Sequence, residues 1–271
     1  MILSILISTI DEGINKIQHL LLPQRNDVNY LVVHHYTDKI FNTIPVELLR
    51  DDIIVQQFSG KGVSKARNIS ILQAKGEIAL IADDDVTYTN EYFDRIINTF
   101  IKDDPDLALF KIKTMSGEGE YKDYRVKTYQ LSLNNLHSIS SIEIAFKIQP
   151  IKNKIKFDER FGSGSFLIGG EEDLFILDAI KNGLIIKYYP YYVVNHPEES
   201  HVKKFPTYHK KRVLVRGAFY ARTSGWLAIP KILLKSIALT PTLIKEHKNP
   251  IIHLYQMYIG CFYILFNNTS E

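Results

Sequence analysis

Five short apolar runs recur along the first 112 positions: "LSILIS" (3–8), "YLVVHH" (30–35), "DIIVQQF" (52–58), "EIALIA" (77–82) and "LALFKI" (107–112). Short runs rich in Ile, Leu and Val that lack strict alternation predict strands buried on both faces of a parallel sheet. The intervening "EGINKIQHLLLPQ", "GVSKARNISILQAKG" and "TNEYFDRIINTFIKDD" space their apolar residues as helices do. In the second of these, Ala66, Ile69 and Leu72 follow at three-residue steps and are expected to line one face, with Gly76 as the helix stop. Strand and helix alternate, so residues 1–112 read as a doubly wound, Rossmann-like α/β half.

After residue 113 the pattern changes. "TMSGEGEYKDYR" (114–125) is a polar loop, and "SSIEIAFKI" (140–148) alternates in part, which predicts a strand of a mixed or antiparallel region. "EEDLFILDAIKN" (171–182) reads as a helix stopped by Gly183, and "LIIKYYPYYVVNH" (184–196) as one or two strands broken at Pro190. Beyond His196 the chain turns basic in "HVKKFPTYHKKRVLVRG" (201–217), then apolar and helical in pattern to its end. No internal repeat or low-complexity tract is present.

Composition narrows the class. With 271 residues and 45% hydrophobic content, the chain can bury a core of one large domain, or of a domain with an appendage. Lys and Arg total 33 against 30 acidic residues, a net charge of +3, so no nucleic-acid partner is expected. The single cysteine, Cys261, allows neither an internal disulfide nor a thiolate metal site, which fits a reducing compartment and predicts a cytoplasmic location. The opening "MILSILISTIDEG" has no basic leader, is far shorter than the roughly 20 apolar residues of a span, and reads as a first strand. "IIHLYQMYIGCFYILF" (251–266) is nearly continuous in apolar residues but carries His253 and Gln256 and is slightly short for a span.

The candidate chemistry lies in "IALIADDDVTY" (78–88), where Asp83, Asp84 and Asp85 crowd together behind an apolar strand. Ligands of open α/β sheets bind beyond the carboxyl ends of strands. Asp83 and Asp85, as alternate residues, can aim to one side and offer oxygen ligands to Mn²⁺ or Mg²⁺, which favour carboxylates plus substrate phosphates. A solvated turn capping a helix near Thr89 or Asn90 would explain the same three acids. Upstream, "GKGVSKARN" (60–68) places Gly60, Gly62, Lys65 and Arg67 at a helix start, a setting that suits an anionic group.

"GVSKARNISILQAKGEIALIADDD" resembles the segment of family 2 glycosyltransferases, of GT-A fold, in which a Gly-x-Ser-x-x-Arg-Asn helix precedes Gly-Glu and a strand ending in an Asp-rich metal motif. "FDERFGSGSFLIGGEEDLFILDAIKNGLIIKYYPYYVVNHPEES" (157–200) resembles the acceptor half of the same family, and "ILISTIDEGI" (5–14) its first strand and loop. The resemblance covers roughly residues 1–220. It implies a GT-A domain over 1–220, with a nucleotide-binding half at 1–112 and a mixed-sheet acceptor half at 113–220. A C-terminal helical segment follows at 221–271.

By this resemblance Ser8, Thr9 and Asp11 would border the base and ribose of a nucleotide sugar, a UDP-sugar in first place, with Arg67 and Asn68 completing the pocket. Asp83 would approach the nucleoside with Asp84 beside it, and Asp85 would ligate the metal that bridges the diphosphate. His196 stands where relatives carry a histidine that reaches the metal or the diphosphate. In "GGEED", Glu172 aligns with the catalytic base, supported by Glu171, with Asp173 as the fallback; acids there also suit a helix dipole. The chain departs from many relatives after its second strand, where His34 and His35 replace paired aspartates.

The basic run 201–216, with Arg212 and Arg216, is either a solvated face or a match for anionic lipid head groups, with Tyr220 and Trp226 suited to a membrane boundary. The tail helices otherwise pack on the domain or build a homodimer. The function expected is an inverting, metal-dependent transfer of a sugar to a saccharide or lipid-linked saccharide at the inner face of a bacterial membrane. Its rivals are a sugar nucleotidyltransferase, which should carry a glycine-rich basic loop where this chain has "STIDEGIN", and a catalytically silent binding or scaffold protein.

Overall fold

The computed structural model describes residues 1–115, 120–197 and 205–267. Most of the polar loop 114–125 therefore lies within view, but its 116–119 segment lies outside the described residues, as do 201–204 of the basic run. The chain divides into two compact units, Met1–Asp158 with Phe175–Glu198, and Glu159–Leu174 with Glu199–Glu271.

In the first unit, β1 (Leu3–Ile10), β2 (Val28–Tyr36), β3 (Ile53–Ser59) and β4 (Ile78–Asp83) form the parallel part of the sheet, and β5 (Leu107–Thr114) follows. β6 (Tyr129–Gln130), β7 (Ile144–Lys147) and β8 (Ile186–His196) complete an eight-stranded order β3-β2-β1-β4-β7-β5-β8-β6 among the described residues. β7 runs antiparallel to β4 and β5, which makes the second half of the sheet mixed, as the partial alternation of 140–148 predicts. Successive side chains of β1 enter different cores: Leu3, Ile5 and Ile7 pack with Phe93, Ile96 and Phe100, whereas Leu6 packs with Ala66 and Ile71. The helices α1 (Val63–Gln73) and α2 (Asn90–Asp103) thus cover opposite faces, which is the doubly wound arrangement. Thr89 caps α2 by accepting from the Tyr92 N–H, and Asp104 ends it with φ 47°.

Three local expectations change. The segment after β1 is a 3₁₀ helix, Asp11–His19, entered through Asp11 at φ 49°. α1 buries Ser64, Ala66, Arg67, Asn68, Ser70 and Ile71, so Ala66 is inside as expected, while Ile69 is half-buried and Leu72 is 43% exposed. The stripe Ser64, Arg67, Asn68 and Ile71 has helical spacing but is mostly polar, so hydrophobic spacing places the buried face to one side of it. Of the two alternatives for segment 184–196, one strand forms, without a break, since Pro190 is absorbed by a register shift between the Leu109–Tyr188 and Lys111–Tyr192 pairs. The 140–148 stretch is only in part a strand, with a 3₁₀ turn at Ser141–Glu143 and a short α3 (Ile148–Ile151) flanking β7.

The division between units falls within α4 (Glu171–Lys181), after its first turn. The second unit holds α5 (Lys210–Ser224), α6 (Ala228–Lys245) and α7 (Pro250–Phe266), so the helical part starts before the boundary at 221 expected from sequence. α5 and α7 cross closely: a Cβ on Gly217 would overlap the Met257 carbonyl, and one on Gly260 the Leu214 carbonyl. That contact explains why 210–220 joins the tail. α6 buries Ala228, Ile232, Ser236 and Leu243 but exposes Leu234, Ile237 and Ile244, each more than 60% accessible. By length and composition only, Lys210–Lys245 is long and apolar enough to cross a membrane.

Candidate active site

Parallel pairing sets Ser8 of β1 opposite Asp83 of β4 and Thr9 opposite His34 of β2, so the sheet itself gathers the residues singled out in sequence at one edge. Each aspartate there has a different partner. Arg67, whose side chain is 4% exposed, reaches Asp83 Oδ1 at 3.1 Å and stands over the Phe157 ring. Burying a guanidinium requires such compensation, and the polar face of α1 supplies the group that receives it. Ser141 Oγ donates to Asp83 Oδ2 at 3.4 Å.

Asp84 turns to β1, where Thr9 Oγ1 donates to its Oδ2. Burial, reinforced by Asp83 and Asp85, pushes the Asp84 carboxyl above the usual range. The contact depends on Gly13, because a Cβ at that position would collide with both Asp84 and Thr9. Asp11 ties the same loop to the end of β2, accepting from the Thr37 N–H at 2.7 Å through its carboxylate and from His34 Nε2 at 3.0 Å through its carbonyl. Asn68 clasps the Phe157 peptide, donating to its carbonyl at 2.9 Å and accepting from its N–H at 2.8 Å. Thus Asp11, Asn68 and Asp84 shape the walls, whereas Ser8 Oγ is buried with no hydrogen-bond partner among the described residues.

Asp85 is different. Its Oδ1 is buried without a hydrogen-bond partner among the described residues and lies 3.6 Å from His196 Nε2. Burial pushes the Asp85 carboxyl up, and the imidazole opposes that shift. His196 Nδ1 faces the Pro197 carbonyl, which can only accept, so Nδ1 donates there and Nε2 is the ring nitrogen left facing Asp85. A buried carboxylate oxygen with no hydrogen-bond partner among the described residues, set against an imidazole nitrogen, fits a cation. No three His, Cys, Asp or Glu side chains converge on one point among the described residues, so a metal here would need further oxygens from a substrate, as Mg²⁺ and Mn²⁺ commonly do. Tyr121 meets the His196 ring edge-on at 5.4 Å and fixes its plane.

The second acidic triplet belongs to the second unit. Glu171, Glu172 and Asp173 occupy the first turn of α4, with Glu171 buried and the other two half-buried. Gly170 precedes them at φ 90°, and its carbonyl accepts from the Leu174 N–H at 3.2 Å. A left-handed residue at that point favours glycine, and a Cβ would press on Val215 at 3.2 Å.

Sequence reasoning missed Ser141, Gly13 and the Phe157 ring beneath Arg67. Only Gly13 carried a signal, as a glycine inside an amphipathic segment.

Residues 37–170 match the family model described as Glycosyl transferase family 2. The chain is similar to the crystal structure of S. aureus TarS 1-349, with 20% identity and a TM-score of 0.58 over 82% of this chain and 65% of that one. The complex of the same protein with UDP aligns at 21% identity, TM-score 0.59, over 82% and 65% of the two chains. Its complex with UDP-GlcNAc aligns at 20%, TM-score 0.58, over 82% and 66%. Likeness at this identity shows a shared GT-A fold, and this chain spans just under two thirds of the TarS 1-349 length. No curated protein matches the chain in sequence.

Proposed function

We propose, from the match of residues 37–170 to glycosyl transferase family 2, that the chain is an inverting, metal-dependent glycosyltransferase. It moves a sugar from a nucleotide-sugar donor to a saccharide or lipid-linked saccharide in polysaccharide assembly. The observation that carries this reading is the orphaned Asp85 Oδ1 facing His196 Nε2 at 3.6 Å. That S. aureus TarS is solved with UDP and with UDP-GlcNAc supports a UDP-sugar donor.

In this mechanism Ser8, Thr9 and Asp11 border the nucleoside, and Arg67 holds Asp83 in place beside it. Asp85 and His196 would hold Mn²⁺ or Mg²⁺, which when bound neutralises charge on the departing diphosphate. Glu172 removes the proton of the acceptor hydroxyl, and the resulting oxygen attacks the anomeric carbon as its bond to the diphosphate breaks, inverting the configuration. Glu171 and Asp173, in the same helical turn, support that carboxylate. The exposed Leu234, Ile237 and Trp226, with Lys231, Lys235 and Lys245, support a peripheral seat of the helical unit on the anionic inner face of a cell membrane.

The test is a thermal-shift titration with nucleoside diphosphates and sugar nucleotides in the presence of Mn²⁺, followed by turnover of the sugar nucleotide that binds. A ligand of the native state raises its melting point. UDP is expected to bind, and a UDP-sugar to give up its sugar with release of UDP in a metal-dependent reaction. Binding without turnover toward any acceptor would favour the catalytically silent alternative, and formation of diphosphate from a sugar phosphate and UTP the nucleotidyltransferase.

A further inference from the structure

The second unit contains a cavity of about 680 Å³ between α5, α6, α7 and the turn before α4, within the range of roughly 300–1,000 Å³ typical of small-ligand sites. Its walls are of two kinds. Arg216 from α5 and Lys231 and Lys235 from α6 bring three cations to it, while Phe219 and Leu239 contribute apolar surface. Lys231 and Lys235 are four residues apart on one helix, so both amines serve the same side. Among the described residues none of the three cations has a carboxylate partner, and Lys231 Nζ donates only to Ser224 Oγ, at 2.9 Å.

His253 is the second observation. It lines the cavity, is 4% exposed, and neither ring nitrogen has a hydrogen-bond partner among the described residues. Two unsatisfied nitrogens on a buried side chain cost free energy that a ligand with acceptor and donor groups would recover. Tyr208 holds the ring edge-on at 6.0 Å, so its position is fixed by packing rather than by hydrogen bonds. Asp173 lines the same cavity and would repel an anion placed against it, which restricts the anionic group to the cationic side.

We infer that this cavity seats the acceptor, and that its ligand is a phosphate ester joined to an apolar chain. The phosphate takes Arg216, Lys231 and Lys235, because a guanidinium fork and two ammonium groups match a multiply charged oxyanion. The apolar portion lies on Phe219 and Leu239. The inference rests on the glycosyltransferase reading for the word acceptor, but the ligand chemistry stands on the cavity alone.

Calorimetric titration of the full chain with decyl phosphate below its micelle concentration tests this, with inorganic phosphate, decyl glucoside and UDP as separate arms. Decyl phosphate is expected to bind about tenfold or more tightly than inorganic phosphate or the glucoside. The Lys231→Ala/Lys235→Ala pair and, separately, Arg216→Gln should each weaken it by about tenfold or more, and UDP titration reports whether each variant is folded. Equal binding of inorganic phosphate would show that the apolar half is wrong, and wild-type affinity in both variants that the cations are not the seat; either result overturns the inference. Decyl phosphate binding without UDP binding would instead sink the transferase reading and leave this site standing.

Discussion

Asp83 ends a strand and Asp84 and Asp85 form the turn after it, whereas Glu171, Glu172 and Asp173 open a helix, and the two settings handle crowded negative charge differently. Where the strand gives way to the turn, each acid acquires its own partner: Arg67 for Asp83, Thr9 for Asp84 and the His196 ring for Asp85. At the helix start, all three acids share one favourable field, that of the unpaired N–H groups. The strand triplet is therefore a set of separate devices. The helix triplet is a graded one, in which burial ranks Glu171 below the half-buried Glu172 and Asp173. A ligand-facing role suits the accessible members.

The largest effect should separate the two triplets by the kinetic constant each one governs. Glu172→Gln keeps the shape and removes the base, so kcat should fall by roughly 10²–10⁴-fold with little change in the KM for the sugar nucleotide. Asp85→Asn should cost roughly 10²–10³-fold, and in this variant the Mn²⁺ concentration for half-maximal rate should rise. Steady-state kinetics across a Mn²⁺ series decides it. If Glu172→Gln retains wild-type kcat, the base is elsewhere, and Asp173→Asn is the next variant to measure.

The strand triplet was far more legible in the sequence than the helical unit. An apolar run ending in acids defines a strand and its carboxyl end, and the Arg67–Asn68 pair at a fixed distance names the helix that meets it. Neither pattern says which acid meets which group, since that depends on register. Asp84 illustrates this: the triplet alone gave it no distinct role, yet Ser8–Asp83 pairing sets it against Thr9. α1 was misread on its face because its buried side is polar, and hydrophobic periodicity cannot report a helix that turns Ser64, Arg67 and Asn68 inward. In the helical unit the deciding residues are Gly217 and Gly260, 43 positions apart, whose meeting leaves no trace in local pattern.

That crossing offers the next way to sharpen the comparison. Gly217→Val would drive a branched side chain into the Met257 backbone, which cannot move aside as a flexible side chain would. Overpacking of this kind typically costs about 1–3 kcal/mol, and a helix backbone obstruction should lie at the upper end. The loss should appear as a lower melting point together with reduced transfer, while UDP affinity is kept, because the crossing belongs to the unit that carries the helix triplet. A parallel loss of UDP binding would show that the two triplets are not held independently.

The smallest effect concerns the histidines that stand beside the strand triplet. His34 is fully buried, accepts at Nδ1 from Gln57 Nε2 at 3.0 Å and donates from Nε2 to the Asp11 carbonyl at 3.0 Å, a pattern that only the neutral ring satisfies. Burial holds both His34 and His35 below the usual histidine range. With the folded value depressed, the unfolded chain binds the additional proton between that value and about pH 6.5, so stability present above this window is lost as pH falls through it. Each histidine can contribute up to about 1.4 kcal/mol per pH unit. Urea midpoints at about pH 7.5 and about pH 5.5 should therefore differ in the wild type. In His34→Gln the protein should be less stable at the higher pH but should show a shallower pH dependence, because one of the protons taken up on unfolding no longer counts. An unchanged slope would mean that His34 is not the group being charged. The protons would then act at His35, which stacks on Phe58 at 5.5 Å, or at His137 and His253, which burial also holds low, and the β1 loop anchored by Asp11 would be insensitive to them.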